Sequence, residues 1–329
     1  MSGGAQAFYQ KMLAEQQAKA AGAGGGSAAP AAPVAPPPLV VTPPKVTPPP
    51  SATLVVFGAT NYTEFGKKVG AKVSEDTPNL MSPHRLVAGL GGLSISFVAT
   101  SCVSSHIVAI AAPDDAVFTW GRNDAGQLGL GDSLARPGPT RVRALDGKGA
   151  IRASCGKAHT VLVTSAGGVL ACGAATQGCI GTGLPKKAES ATSPVAVAGL
   201  SSITHVSSGG LFNLARDEDG EVWSWGWSEY GVLGNGDDHC HNTKDASVKL
   251  TYKAVAPARV RPLAGKKVVV VACGQNHCAA ATDAGVVYTW GYAGHGRLGH
   301  RDQKDLWIPT ALAECRAKEI SCGQVRMTG

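Results

Sequence analysis

Thiol and imidazole groups recur at a fixed offset of four residues, Cys155 with His159 and Cys273 with His277. Thiolate and neutral imidazole are good zinc ligands, but the pairs belong to separate repeats and lack the Cys-x-x-Cys spacing of a structural zinc site. His106, His159 and His277 occupy equivalent strand positions, so bonding a neighbouring backbone group is their most economical role. His239, Cys240 and His241 form the other ligand-type cluster, carried by a loop. Neither grouping makes a convincing centre, and no metal or cofactor is expected.

Cations are the second candidate. The stretch between Gly234 and Val268 carries Lys244, Lys249, Lys253, Arg259, Arg261, Lys266 and Lys267, with acids mainly at Asp237, Asp238 and Asp245. Such a cluster on a loop held by a rigid scaffold favours an acidic partner or phosphates; the plainer reading is a solvated insertion. Covalent catalysis finds no support, because there is no isolated carboxylate pair, nucleophile motif or phosphate cradle. The Gly-rich loops, which singly would suggest a phosphate cradle, recur in every repeat, which argues for architecture.

The elements that would position these residues follow from a repeat. Strands end in an aromatic-Gly or similar pair at Phe57-Gly58, Trp120-Gly121, Cys172-Gly173, Trp225-Gly226 and Trp290-Gly291. Each is followed by Gly-x-Leu-Gly or a variant: Gly126 to Gly129, Gly178 to Gly181, Gly231 to Gly234 and Gly296 to Gly299, with a degraded Thr63-Glu64-Phe65-Gly66 in the first copy. A Cys-Gly-x-x-His element precedes them, 17 residues from its Gly to the Gly of the pair. Successive pairs lie 63, 52, 53 and 65 residues apart.

The constant interval reads as a β-hairpin, for example His159 to Thr164, a turn at Ser165 to Gly168, then Val169 to Gly173. Asp217-Glu218-Asp219-Gly220 and Asp283-Ala284-Gly285 supply the other turns. Pro-containing stretches such as Gly138 to Val142 suit an edge strand. With 43 Gly, 16% charged and 5% aromatic residues, an all-β chain of about four strands per repeat is expected, matching a propeller blade. One blade cannot bury both faces alone, so blades must stack.

Residues 1–50 differ: Ala and Gly, then half of the chain's 20 prolines between Pro30 and Pro50. That composition predicts a disordered tail, with a transient helix over Phe8 to Ala20, before a folded part at 51–329. Nine scattered cysteines favour a reducing compartment, and no apolar run is long enough to cross a membrane. The formal charge of +7 permits acidic partners without demanding them.

Cys-Gly-x-x-His, Trp-Gly and Gly-x-Leu-Gly in this order resemble the regulator of chromosome condensation family over about residues 54 to 329. Phe57-Gly58-Ala59-Thr60-Asn61, Pro83-His84-Arg85 and Gly296-Arg297-Leu298-Gly299-His300 with Gln303-Lys304-Asp305 resemble its telophase-disc branch. The resemblance implies a seven-bladed β-propeller, of which about five blades are present, so two C-terminal blades are expected to be missing; the alternative is a five-bladed ring closed by residues 320–329 pairing with 54–58. It implies a non-catalytic binding platform in the nucleus and cytoplasm that docks a small GTPase, as a guanine-nucleotide exchange regulator in cell division or cytoskeletal signalling. A chromatin- or microtubule-associated scaffold without exchange activity is the rival reading. No membrane and no small-molecule substrate is implied. Ultraviolet photoreceptors resemble the same family, but their Gly-Trp-Arg-His-Thr repeats do not occur here, and Trp120, Trp225 and Trp290 read as blade core.

Overall fold

The structure, a computed structural model, describes residues 54–58, 80–86, 89–90, 92–181, 189–237, 240–242, 250–252 and 254–323. The expected tail at 1–50 lies outside these residues. Strands β1 (Val55–Gly58) and β2 (Leu80–Arg85) pair as a two-stranded sheet. Blade 1 follows, with β3 (Ser94–Ala99), β4 (His106–Ala112), β5 (Ala116–Gly121) and β6 (Arg136–Arg141). Blade 2 contains β7 (Ala150–Cys155), β8 (His159–Thr164), β9 (Val169–Ala174) and β10 (Ser190–Ala196). Blade 3 contains β11 (Ile203–Ser208), β12 (Phe212–Asp217), β13 (Val222–Trp227) and β16 (Ala254–Arg259), with the hairpin β14 (Cys240–Asn242) and β15 (Leu250–Tyr252) inserted before its last strand. Blade 4 contains β17 (Val268–Cys273), β18 (His277–Thr282), β19 (Val286–Gly291) and β20 (Leu306–Arg316). All pairings are antiparallel.

The chain is thus all-β and propeller-like, and among the described residues the motif copies resolve into four complete blades plus the β1–β2 pair. Among the described residues β1 pairs with β2, and 321–323 form no strand, so the alternative closure between 320–329 and 54–58 is not formed there. Cys322 instead repeats the position of Cys155 and Cys273: each thiol reaches an inner-strand carbonyl of the preceding blade, at Ala272, Ala99 and Ser207 respectively.

The core lies between blades, as stacking requires. Blades 1 and 2 share Val108, Ile110, Val117, Leu145, Cys155 and Leu162; blades 2 and 3 share Val161, Val163, Ile180, Ile203, Ala215 and Trp225. Leu214, Leu233, Leu263, Cys278, Trp290 and Leu298 join blades 3 and 4. The leucines of Gly-x-Leu-Gly are in this core, Leu128 and Leu233 being fully buried.

Two glycine requirements explain the motifs. Gly173 has φ +110 and a Cβ there would lie 2.6 Å from the Cα of His159, so only Gly lets the two strands approach. At Gly156 the ring of His159 lies where a Cβ would sit, which is why Gly precedes His by three positions.

Each inner strand passes over one residue of ladder pairing, between Ile95 and Phe97, Ala150 and Arg152, Ile203 and His205, and Val268 and Val270. This β-bulge, repeated at the same place in every blade, re-aims the following side chain.

Candidate interaction surfaces

Antiparallel order sends alternate connections to opposite ends of each blade. Connections from first to second and third to fourth strand form one face, here the loop face. Second-to-third turns and the connections to the next blade form the other, the turn face. The segment joining β13 to β16 leaves and re-enters the sheet at its Trp227/Ala254 end, on the loop face, whereas Arg259 closes β16 at the opposite end.

Of the seven predicted cations, the four that the structure describes lie at the opposite end of the blade from that segment's exit and re-entry. Lys244, Lys249 and Lys253 lie outside the described residues. Arg259, Arg261, Lys266 and Lys267 are exposed at the turn face, around the 3-10 turn Arg261–Leu263 that leads into blade 4. Each strand added to an antiparallel sheet reverses the chain, so six residues of β16 carry it from one face to the other.

Three of these four also have partners. Arg259 lies 3.8 Å from the Glu221 carboxylate and stacks over Trp223. Lys266 lies over the Tyr288 ring, and Lys267 is 4.0 Å from Asp283. Arg261 and Lys266 recur in the blade 1 to blade 2 connection as Arg143 and Lys148, both exposed, around the equivalent turn Arg143–Leu145. That repetition was legible as Arg-x-Leu-x-Gly-Lys at 143–148 and 261–266, and among the described residues it marks a basic turn face.

His106 and His159 bond side chains of the next blade and not the neighbouring backbone group expected of them, and these partners form a lattice across blades. His106 Nε2 meets Thr160 Oγ1 of the next blade at 2.7 Å, and His159 Nε2 meets Asn213 Oδ1 at 2.8 Å. Thr160 donates in turn to the Gln127 carbonyl and Asn213 to the Cys179 carbonyl, both 2.7 Å. Cys278 holds the third equivalent position, its thiol on the Val232 carbonyl. Each of these carbonyls, the x of Gly-x-Leu-Gly, takes a second donor from the next blade: Cys172 Sγ, Trp225 Nε1 and Trp290 Nε1 respectively. Sequence reasoning placed the indoles in the core but missed this pairing, which is non-local.

A missed local signal is the hydroxyl before Trp120, Trp225 and Trp290. Thr119, Ser224 and Thr289 bond the carbonyls of Leu128, Leu233 and Leu298 within their own blades.

Burial keeps these groups neutral. It pushes His106 down to about 3, helped by the charge of His159, and His159 down to about 4 against an Asn213 bond that favours the cation. Burial likewise pushes the Cys172 and Cys179 thiols up to about 12. Among the described residues no His, Cys, Asp or Glu group is arranged to hold a metal. Of the His239, Cys240 and His241 cluster, His239 lies outside those residues, and Cys240 and His241 are described only as backbone of β14.

Stacked four-stranded blades joined by a repeated Trp–carbonyl lattice define a propeller-type repeat scaffold. The regulator of chromosome condensation (RCC1) repeat matches residues 114–163, 219–281 and 284–324, and a second model of the same repeat matches 203–232; the chain belongs to the RCC1 repeat family. Within it, the chain is 32% identical over 272 residues to Protein RCC2 of Mus musculus and 31% to the Protein RCC2 homolog of Xenopus laevis. Each alignment covers 78% of this chain and 52% of the relative, so the chain spans about half the length of the curated relatives it matches. It is also 33% identical over 265 residues to the ultraviolet-B receptor UVR8 of Arabidopsis thaliana, covering 78% of this chain and 54% of that one.

Solved structures show the same fold. Yeast RCC1 (Prp20) bound to Kap60 superposes with a TM-score of 0.67 at 18% identity, covering 83% of this chain and 60% of that chain. Prp20p of Saccharomyces cerevisiae, a protein with binding properties to Gsp1p and histones, gives 0.63 at 20% identity over 78% of this chain and 59% of that one.

Proposed function

We propose that this chain is a non-catalytic binding platform that docks a small GTPase and regulates its guanine-nucleotide exchange, in cell division or cytoskeletal signalling in the nucleus and cytoplasm. The observation that carries this reading is the inter-blade lattice. It makes the described blades a rigid support for two sets of loops, the arrangement in which propellers place binding groups. Exchange needs no covalent step: a loop that stabilises the nucleotide-free GTPase weakens nucleotide affinity by linkage. Prp20p, similar in fold, offers the precedent of a propeller with binding properties to Gsp1p.

A chromatin or microtubule scaffold is the second reading, favoured by the exposed cations of the turn face, including Arg143, Arg261 and Lys267. A nucleotide-release assay against a panel of small GTPases separates the two. Accelerated release by at least one GTPase supports exchange, while unchanged release across the panel, with salt-dependent capture of nucleic acid or tubulin, supports the scaffold. Alanine at Lys244, Lys249, Lys253, Arg259, Arg261, Lys266 and Lys267 is expected to weaken partner capture in a salt-dependent manner; unchanged affinity at low salt removes these residues from the interface.

A further inference from the structure

The inner hairpin of blade 4 places two free thiols side by side. Cys273, the last residue of β17, and Cys278, the second residue of β18, are ladder partners, and directly opposite residues of a ladder share one face. Both thiols point at blade 3, Cys273 Sγ donating to the Ser207 carbonyl and Cys278 Sγ to the Val232 carbonyl, each at 3.3 Å. The Cys273 amide turns away from β18 to Ser207 Oγ at 2.9 Å, while the flanking Gly274 amide bonds the His277 carbonyl. That pattern makes Cys273 and Cys278 a non-hydrogen-bonded pair, whose Cα atoms stand about 4.5 Å apart. A disulfide spans Cα separations of about 4.4–6.8 Å.

Packing accounts for one of these cysteines and not for the pair. Cys155 and Cys322 repeat the position of Cys273 and bond the preceding blade in the same way. The position of Cys278, by contrast, is held by Thr160 in blade 2 and Asn213 in blade 3, the ladder partners of Cys155 and Ser208. Among the described blades only blade 4 therefore carries sulfur on both sides of this rung. Cys278 is fully buried and Cys273 is 7% exposed, so a small uncharged oxidant meets Cys273 first.

We propose that Cys273 and Cys278 form a reversible thiol–disulfide switch, closed by hydrogen peroxide, at the junction of blades 3 and 4. Cys273 gives its proton to water and its sulfur attacks one peroxide oxygen; the O–O bond breaks, and the departing hydroxide takes up that proton. The Cys278 sulfur then attacks the sulfur of the Cys273 sulfenic acid, forming the S–S bond and expelling hydroxide, which leaves as water with the Cys278 proton. Two thiols are oxidised and one peroxide is reduced to two waters. A disulfide has no S–H to donate, so both thiol bonds to blade 3 are released; the Val232 carbonyl keeps the Trp290 indole, whereas the Ser207 carbonyl loses its thiol donor. A dithiol reductant reopens the bridge by exchange. The switch is independent of which macromolecule the propeller docks.

The test treats the folded, reduced full chain with hydrogen peroxide, removes the oxidant with catalase, and unfolds the protein only in the presence of iodoacetamide before tryptic digestion and mass spectrometry. Residues 268–297 form one tryptic peptide, whose cysteines are Cys273 and Cys278 alone. After peroxide this peptide is expected to be about 2 Da lighter than the dithiol form and to carry no alkyl group; reduction with dithiothreitol before alkylation restores both alkyl groups. Cys273→Ala and, separately, Cys278→Ala are expected to abolish the lighter peptide. Should either variant fail to fold, the unaltered chain decides by itself. Alkylation of both residues after peroxide, Cys273 carried on to the sulfinic acid, or either residue bridged to a different cysteine overturns the proposal.

Discussion

The inter-blade lattice predicts a specific non-additivity at His159 and Asn213. Asn213 is fully buried, accepts from His159 Nε2 and donates to the Cys179 carbonyl. In Asn213→Cys the carbonyl keeps the Trp225 indole, but His159, whose Nδ1 is already buried without a partner, loses its one side-chain bond. Leaving a buried group unsatisfied costs about 1–3 kcal/mol, and the second lost bond adds about 1 kcal/mol, so a loss of roughly 2–4 kcal/mol is expected. The protein already holds the apolar solution one blade on, where Phe212 and Cys278 occupy the positions of His159 and Asn213 within one core cluster. The double variant His159→Phe with Asn213→Cys is therefore expected to recover about 1–2 kcal/mol relative to the sum of the single changes. Urea unfolding of the four proteins measures the cycle. Strictly additive losses, or an Asn213→Cys cost below about 0.5 kcal/mol, would refute the coupling.

Further predictions follow from the same contacts. Gly173→Ala places a methyl against His159 at a positive φ and is expected to cost about 2–4 kcal/mol, while Gly147→Ala, with φ +69 but open space around it, should cost only about 1 kcal/mol in a thermal melt. The buried histidines are held below their unfolded value of 6.5, so the unfolded chain binds more protons between about pH 6.5 and 4. Stability is then full above pH 6.5 and falls as pH drops through that window, by on the order of 1.4 kcal/mol per pH unit per histidine; chemical denaturation across that range should show a shallower slope in His159→Phe. Burial raises the thiol pKa of Cys102 as well as those of Cys155, Cys172 and Cys179, but Cys102 is exposed whereas the other three are buried. Alkylation of the native chain followed by mass spectrometry should label Cys102 before Cys155, Cys172 and Cys179, and early labelling of Cys172 or Cys179 would contradict the packed blade interfaces.

What the sequence by itself determined was local and periodic. The hairpin at His159 to Gly173, the turns at Asp217 and Asp283 and the edge strand at Gly138 to Val142 stand at β8–β9, at the ends of β12 and β18, and at β6, because turn chemistry and alternation act within a few residues. Positive φ at Gly126, Gly129, Gly231 and Gly234 follows the same rule. Only the tertiary structure decided which end of a blade each connection occupies, since strand order within a sheet is a non-local pairing. It therefore separated Arg261, Lys266 and Lys267 from the loop-face insertion and gave three of the four described cations partners on neighbouring strands. The second donors on the Gln127, Cys179 and Val232 carbonyls likewise depend on segments more than 40 residues apart in sequence lying side by side. No local pattern encodes that approach; it exists only because each blade must bury its faces against its neighbours.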